Sequence, residues 1–407
     1  MPVKSVSGRL LSVTEARAAM LALVRPLPEQ SVPLQDALGR VLARDIAASR
    51  DQPPYMSSAM DGYALRGADT PGRLRVAGES AAGHGFEGVC EVGMAIRIST
   101  GAAVPGGADT VVIQEDVRRD EGSILVPASA TGKNIRLHGC DFSAGTCLLR
   151  AGRRLDGVAL SLAAASGAAQ LHVARPPRVA ILSSGDELAA PGSNPNPFQI
   201  FDSGSFGIAG LIQSWGGIPN RLAVEKDDAG AIARAAEQGL QDSDLLVVIG
   251  GASVGDHDHA RPALARLGLT LAVEKIAVRP GKPTWFGTVG QRPVLGLPGN
   301  PASALVCAVL FLRPLIEAML GRDPSHAIAT RRAQLTHALP ANGPREHYLR
   351  ARLDVYGDGM QSVRAFEDQD SSLISVFAAA NALIRLAPDT PALPAGALAD
   401  VLPLEIF

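Results

Sequence analysis

Residues 245–258 read LLVVIGGASVGDHD, an apolar strand that discharges into a glycine-rich loop and ends on acidic and imidazole side chains. Such a strand-to-loop transition reads as the mouth of a binding site. The same grammar, a hydrophobic run followed by Gly and Pro, returns in VRPGKPTWFG (278–287) and VLGLPGNPASA (294–304). Three loops of this kind are expected to converge on one ligand.

The surrounding region, from 178 to about 321, alternates between strands and helices. It runs from the strand RVAILS through a helix over 203–215 and a helix near 229–240 to the strand DLLVVIG, and ends in a helix after Asn300. That order predicts a largely parallel sheet covered by helices on both faces. Asn300 is expected to cap the last helix with Pro301 at its first position, leaving free N–H groups beside LPGNP for an anion. The apolar segment 302–320 is interrupted by Arg313, Pro314 and Glu317, which predicts a buried helix and not a membrane span.

Outward from this core, Ser12 and Glu15 have capping-box spacing, and Ala16, Met20 and Leu23 continue on one helical face until Pro26. From about 34 to 150 the runs RLRVAG, AIRIST and TVVIQED, separated by Gly and Pro, predict a turn-rich, mostly β module. Beyond 321, HYLRARLDVYG and ALADVLPLEIF predict a small β-barrel or β-sandwich.

A chain of 407 residues is expected to divide into roughly two to four domains. Its formal net charge of −2, without runs of like charge, argues against a nucleic-acid or anionic-membrane partner. Cys90, Cys140, Cys147 and Cys307 form no C-x-x-C pair, as expected of reduced thiols in a cytoplasmic protein. The first residues, MPVKSVSGRLLSVTEA, lack the apolar core of a signal peptide.

In open α/β sheets ligands lie outside the carboxyl ends of the strands. SSGDEL (183–188), GGASVGDHDH (250–259) and LPGNP (297–301) therefore share one rim, with Asp186, Glu187, Asp256 and Asp258 on it. Carboxylates so grouped repel unless a hard cation such as Mg²⁺ lies between them, and Mg²⁺ favours a phosphate-bearing ligand. Lys275, Arg279 and Lys282 follow closely and suit anionic groups, although without the glycine loops two solvated charges on an edge strand would be the better reading of Lys275 and Arg279. His257, Asp258 and His259 invite a zinc reading, but no further ligand has suitable spacing. A second polar set surrounds Asp61, Ser99 and Asp141, where Asp-Gly turns or tight hairpins are the alternative. No P-loop pattern occurs.

Taken in order, SAMDGYA, TGAAVPGGADTVV, NIRLHGCD, SSGDEL, GGASVGDHD, RPGKP and LPGNPASA resemble the molybdopterin molybdenumtransferase family, which includes the E domain of gephyrin. The resemblance covers nearly the whole chain. It implies a multidomain α/β protein: a discontinuous linker domain (1–27 and 150–177), an inserted β-rich module (28–149), an α/β molybdopterin-binding domain (178–327) and a C-terminal β-barrel (328–407). It implies a homodimer whose cleft lies between the α/β domain of one subunit and the inserted module of the other. The implied reaction takes adenylylated molybdopterin and molybdate, cleaves the phosphoanhydride with Mg²⁺ and releases AMP.

By the same resemblance Asp61, Thr100, Asp141, Glu187 and Asp258 are catalytic, and Glu187 and Asp227 serve the metal, with Asp228 adjacent as a competitor. Gly250, Gly251, Ser253, Gly255, Lys275, Arg279, Lys282, Pro298, Pro301 and Ser371 bind substrate. Departures from the family pattern are Met56 for Asp, Cys140 for Glu, Gly204 for Asn, His259 for Tyr and Arg279 for Lys. They leave room for another oxyanion such as tungstate. The implied partners are the upstream adenylyltransferase and downstream molybdoenzyme chaperones, with no nucleic acid or membrane. A pterin-binding scaffold and an adenylyltransferase acting one step earlier are the competing readings. A scaffold has no need of Asp61, Thr100, Asp141, Glu187 and Asp258 together, and an adenylyltransferase needs neither inserted module nor tail.

Overall fold

The structure, a computed structural model, describes residues 10–250, 259–357 and 359–404. Its central sheet has six strands in the order Ile218–Arg221, Arg178–Ser183, Leu245–Ile249, Arg292–Leu297, Trp285–Val289 and Leu269–Val273. The first four are parallel; Trp285–Val289 runs antiparallel to them, and Leu269–Val273, antiparallel to that strand in turn, points with the first four again, so the largely parallel sheet carries one reversed strand next to its edge. Leu245–Ile249 lies inside the sheet and is buried along its whole length. Its side chains alternate between two cores, as the two-residue period of a strand requires. Val247 and Ile249 join Ile181, Ile208, Ile212 and Leu305 under the helices Gly204–Ser214 and Pro301–Cys307. Leu246 and Val248 join Ala180, Leu182, Ile232 and Ala236 under Ala229–Asp242.

The apolar run after Asn300 is α-helical over Pro301–Cys307, π-helical over Ala308–Leu312 and α-helical again over Arg313–Met319. Pro314 has no N–H for the ladder, and the wide π turn directly before it accommodates that break. This helical run is long and apolar enough to cross a membrane, yet it is 89% buried inside the protein. The capping box of Ser12 and Glu15 opens the helix Val13–Leu21 as expected. The helix ends at Leu21, short of Pro26, and beyond it Arg25 turns back to donate to the Ala22 and Val24 carbonyls at 2.8 and 2.9 Å.

Glu29–Pro33 pairs with Gln170–Ala174, and Ile46–Ala47 with Cys147–Leu149. Val32, Leu42 and Ile46 share a core with Leu149, Leu155 and Leu171. The module proper holds a six-stranded sheet from Gly62–Leu65 to Ser123–Val126.

At the C-terminal end Glu346–Val355 pairs with both Gln361–Ala365 and Ala382–Leu386. Arg331–Leu335 and Leu398–Pro403 complete the ring, so the tail is a closed five-stranded barrel and not a sandwich. Val278–Arg279 adds to Glu346–Val355 in parallel and ties the barrel to the α/β unit.

Asp244, just before the central strand, accepts two bonds from Arg175 at 2.9 and 2.7 Å and one from the Arg178 N–H at 2.8 Å. Burial alone would raise its pKa, but Arg175, the Arg178 N–H and Arg292 together hold it below the usual carboxylate range. A carboxyl whose pKa is lower folded than unfolded stabilises the protein above its unfolded value, about 3.9, and that contribution is lost as pH falls through the folded value. Asp244→Asn is therefore expected to lower stability by about 2 kcal/mol at pH 7, with the gap to wild type closing below about pH 4 in denaturant titrations.

Candidate active site

The carboxyl ends of three adjacent parallel strands meet at one cleft. The Ser184 N–H donates to the Ile249 carbonyl and the Gly250 N–H to the Leu297 carbonyl, both at 3.3 Å. Gly250 has φ +90°, and a Cβ there would lie 2.7 Å from the Ser184 carbonyl oxygen. Only glycine lets the backbone turn so close to its neighbour. The cleft holds about 980 Å³ and is lined by Glu187, Asp227, Gly250, Lys275, Lys282, Pro298 and Pro301, among others. A space of that size is at the upper end of small-molecule sites.

Each acid has an identifiable local cause. Glu187 lies in the turn between Ser184 and the short strand Leu188–Ala189, and its carbonyl accepts the Ile200 N–H at 2.7 Å. Its carboxylate folds over Gly185, where a Cβ would sit 2.5 Å from Oε2. Asp186 turns to the chain instead, accepting the Asp227 N–H at 3.4 Å. Asp228 caps the helix Ala229–Asp242 through the Ala231 N–H at 2.6 Å, which leaves Asp227 as the acid of that pair lining the cleft.

Among the cations, Lys275 is half-buried and Lys282 exposed, and both line the cleft. The Lys282 carbonyl accepts the Ile276 N–H at 3.1 Å, which closes the loop between them. Arg279 does not line it. Its short strand pairs with the barrel beside His347, whose pKa is pushed down to about 4 by burial and then by Arg279, Arg345 and Arg350.

Asn300 precedes the last helix as expected, but its side chain does not cap it. The amide crosses to the barrel and donates to Ser371 Oγ at 2.7 Å, while the Ala302 N–H donates to the Ser371 carbonyl at 3.2 Å. One N–H expected to await an anion is therefore occupied. Ser371 braces the rim, and its neighbours Ser372 and Ile374 line the cleft.

In the inserted module, Thr100 donates to Asp61 Oδ1 through its N–H at 2.6 Å and its hydroxyl at 2.9 Å. Those bonds, the backbone one first, hold the exposed Asp61 carboxyl below the usual range. Asp61 immediately precedes the strand Gly62–Leu65 and is not the tip of a hairpin. Asp141 is exposed, with its N–H on the Gln52 carbonyl at 2.9 Å. The described lining of the cleft comes from residues 184–374, and the inserted module contributes nothing to it.

Gly251, Ser253, Gly255 and Asp258, with the rim acid Asp256 and His257 of the zinc reading, lie outside the described residues. Among the described residues no group of three or more His, Cys, Asp or Glu could hold a metal ion. Among the lining residues not expected from the sequence, two are polar and buried, Asp202 and Ser184. Asp202 is 2% exposed and accepts the Ser205 N–H at 3.1 Å and hydroxyl at 2.5 Å; the spacing D-S-G-S before a helix was its signal. Ser184 is 4% exposed, and its hydroxyl has no hydrogen-bond partner among the described residues.

Three family models match the chain in sequence. They are the MoeA N-terminal region (domain I and II) over 11–167, a probable molybdopterin binding domain over 180–318, and the MoeA C-terminal region (domain IV) over 332–404. A molybdopterin molybdenumtransferase of Nostoc sp. is 33% identical over 390 residues, covering 92% of this chain and 89% of the relative. The chain belongs to the molybdopterin molybdenumtransferase family. A family member from Haemophilus influenzae is 33% identical over 406 residues, covering 97% of this chain and 99% of its own. The crystal structure of a molybdopterin biosynthesis MoeA protein from Pyrococcus horikosii superposes with a TM-score of 0.85 at 30% identity, covering 98% of this chain and all of that one. Membership in the molybdopterin molybdenumtransferase family gives the chain a role in molybdenum cofactor biosynthesis.

Proposed function

We propose that this chain inserts molybdenum from molybdate into molybdopterin, taking the adenylylated pterin as substrate and releasing AMP, in a cleft completed by a second copy of the chain. The observation that carries the reading is the mixed lining: Lys275 and Lys282 share one space of about 980 Å³ with Glu187 and Asp227. Cations of this kind hold phosphate oxygens through charge-assisted bonds. Two carboxylates, with substrate phosphates and water completing the shell, are an ordinary Mg²⁺ environment, so Glu187 and Asp227 fit the ion and would hold it. When bound, Mg²⁺ offsets charge on the phosphoanhydride as it breaks.

The chain's own residues do the rest. Lys275 and Lys282 orient the diphosphate, and Pro298, Pro301 and Ile374 supply stiff, apolar wall that limits water. Asp61 is held ionised with Oδ1 engaged by Thr100, which leaves Oδ2 for the substrate. Because the described lining includes no residue of the inserted module, Asp61, Thr100 and Asp141 would reach the reacting atoms from the second subunit.

The test is AMP release by purified protein supplied with adenylylated molybdopterin, Mg²⁺ and molybdate. AMP formed in step with molybdenum on the pterin is expected, and a parallel series with tungstate ranks the two oxyanions. Pterin binding without AMP release overturns the transferase reading in favour of a scaffold.

A further inference from the structure

The segment 369–374 reaches the cleft from the barrel. Ser372 and Ile374 line the cleft, and Ser371 binds Asn300 and the Ala302 N–H at the start of the helix Pro301–Cys307. What holds this segment is Arg350, on the barrel strand Glu346–Val355 and 2% exposed. Its Nη1 donates to the carbonyls of Asp370 at 2.9 Å and Leu373 at 3.1 Å, and its Nε to Gln369 Oε1 at 3.2 Å. Gln369 answers from the other side. Its Oε1 also accepts the Arg350 N–H at 2.9 Å, and its Nε2 donates to the carbonyls of Arg350 at 3.0 Å and Phe366 at 2.8 Å.

A guanidinium so buried is costly unless its donors are met, and here the bonds go to main-chain carbonyls and an amide. The planar fork reaches two carbonyls and an amide at once, which a lysine ammonium on a flexible stem does not reproduce. Within the segment, Asp370 accepts the Ser372 N–H at 2.8 Å and hydroxyl at 2.6 Å, so the turn that presents Ser371 and Ser372 is itself tight.

We propose that Arg350 and Gln369 are positioning residues for the cleft: they clamp 369–374 so that Ser371 sets the start of the helix Pro301–Cys307 and Ser372 and Ile374 form the barrel-side wall. The activity part of this inference rests on the transferase reading. The clamp acts on substrate placement and not on the reacting atoms, so it shows in KM before kcat.

The experiment compares Arg350→Lys, Gln369→Ala, Asn300→Ala and the double variant Arg350→Lys/Asn300→Ala. It reads KM and kcat for AMP release, and hydrogen exchange in peptides spanning 300–307 and 369–374. Arg350→Lys is expected to raise KM about tenfold with kcat within about twofold, the signature of lost binding that ground and transition states share. Exchange should quicken in both peptides, and Asn300→Ala should add little on top, because residues acting through one contact are not additive. Unchanged KM, a fall in kcat alone, or quickened exchange confined to 369–374 overturns the proposal. If wild-type protein releases no AMP, the transferase reading fails while exchange over 300–307 still decides the clamp. If Arg350→Lys does not fold, Gln369→Ala carries the same comparison with the guanidinium still bonded to both carbonyls.

Discussion

Asp61→Ala is expected to cut AMP release by roughly two to three orders of magnitude, the scale seen when a preorganised polar group is removed from an active site. The melting temperature should stay near that of wild type, because Asp61 is exposed and Thr100 can turn its two donors to water. Asp61→Asn keeps an acceptor for Thr100 but loses the charge, so a defect as deep as that of alanine assigns the role to the carboxylate. The pH profile carries the same information. Thr100 lowers the Asp61 pKa, so the ionised form, and the activity that needs it, persists on the acidic side of the ordinary carboxylate value, about 3.9, and is lost only below it. Single-turnover AMP release and thermal melts on the two variants check this. Retained turnover in Asp61→Ala, or unfolding in step with lost activity, contradicts it.

Gly281→Ala should damage both the fold and the site. Gly281 has φ +110°, and an alanine Cβ would sit 2.1 Å from the sulfur of Cys307. That sulfur is wholly buried on the helix Pro301–Cys307 and accepts the Thr284 hydroxyl at 3.2 Å; burial pushes the thiol up to about 12, so it is a packing group and not a nucleophile. Relief requires the loop carrying Lys282 and Pro283 to move off the helix. Backbone strain and overpacking together are expected to cost about 3–4 kcal/mol. The moved Lys282 should raise KM for the anionic substrate. The added substitution Cys307→Ala should return the steric part of the stability and leave the backbone part, which denaturant melts of the single and double variants would separate.

Local signals were legible in the sequence, and long-range partners were not. The capping box at Ser12, the continuous apolar strand Leu245–Ile249 and the buried helix after Asn300 each depend on neighbours within a few residues, and each stands where spacing puts it. The reversed strand Trp285–Val289 of the central sheet was missed because an apolar strand carries no mark of its direction. Asn300 read as a cap, but its side chain turns across to donate to Ser371, 71 residues away, and its oxygen caps no helix N–H. Arg279 read as a partner of Lys275, yet pairing with the barrel strand turns it to His347. Asp227 and Asp228 could not be separated by spacing. The start of the helix Ala229–Asp242 separates them, since Asp228 is occupied by the Ala231 N–H.

The proposed cleft takes one wall from each of two subunits. Co-expression of Asp61→Ala and Glu187→Gln chains tests it most directly, because each chain supplies the wall that the other lacks. If the walls come from different subunits, half of the dimers formed at equal expression are mixed and each has one complete cleft. AMP release should then recover to about a quarter of the wild-type rate, with either variant alone nearly inactive. No recovery from the mixed population, with mixed dimers present, would place both walls in a single chain and contradict the shared cleft.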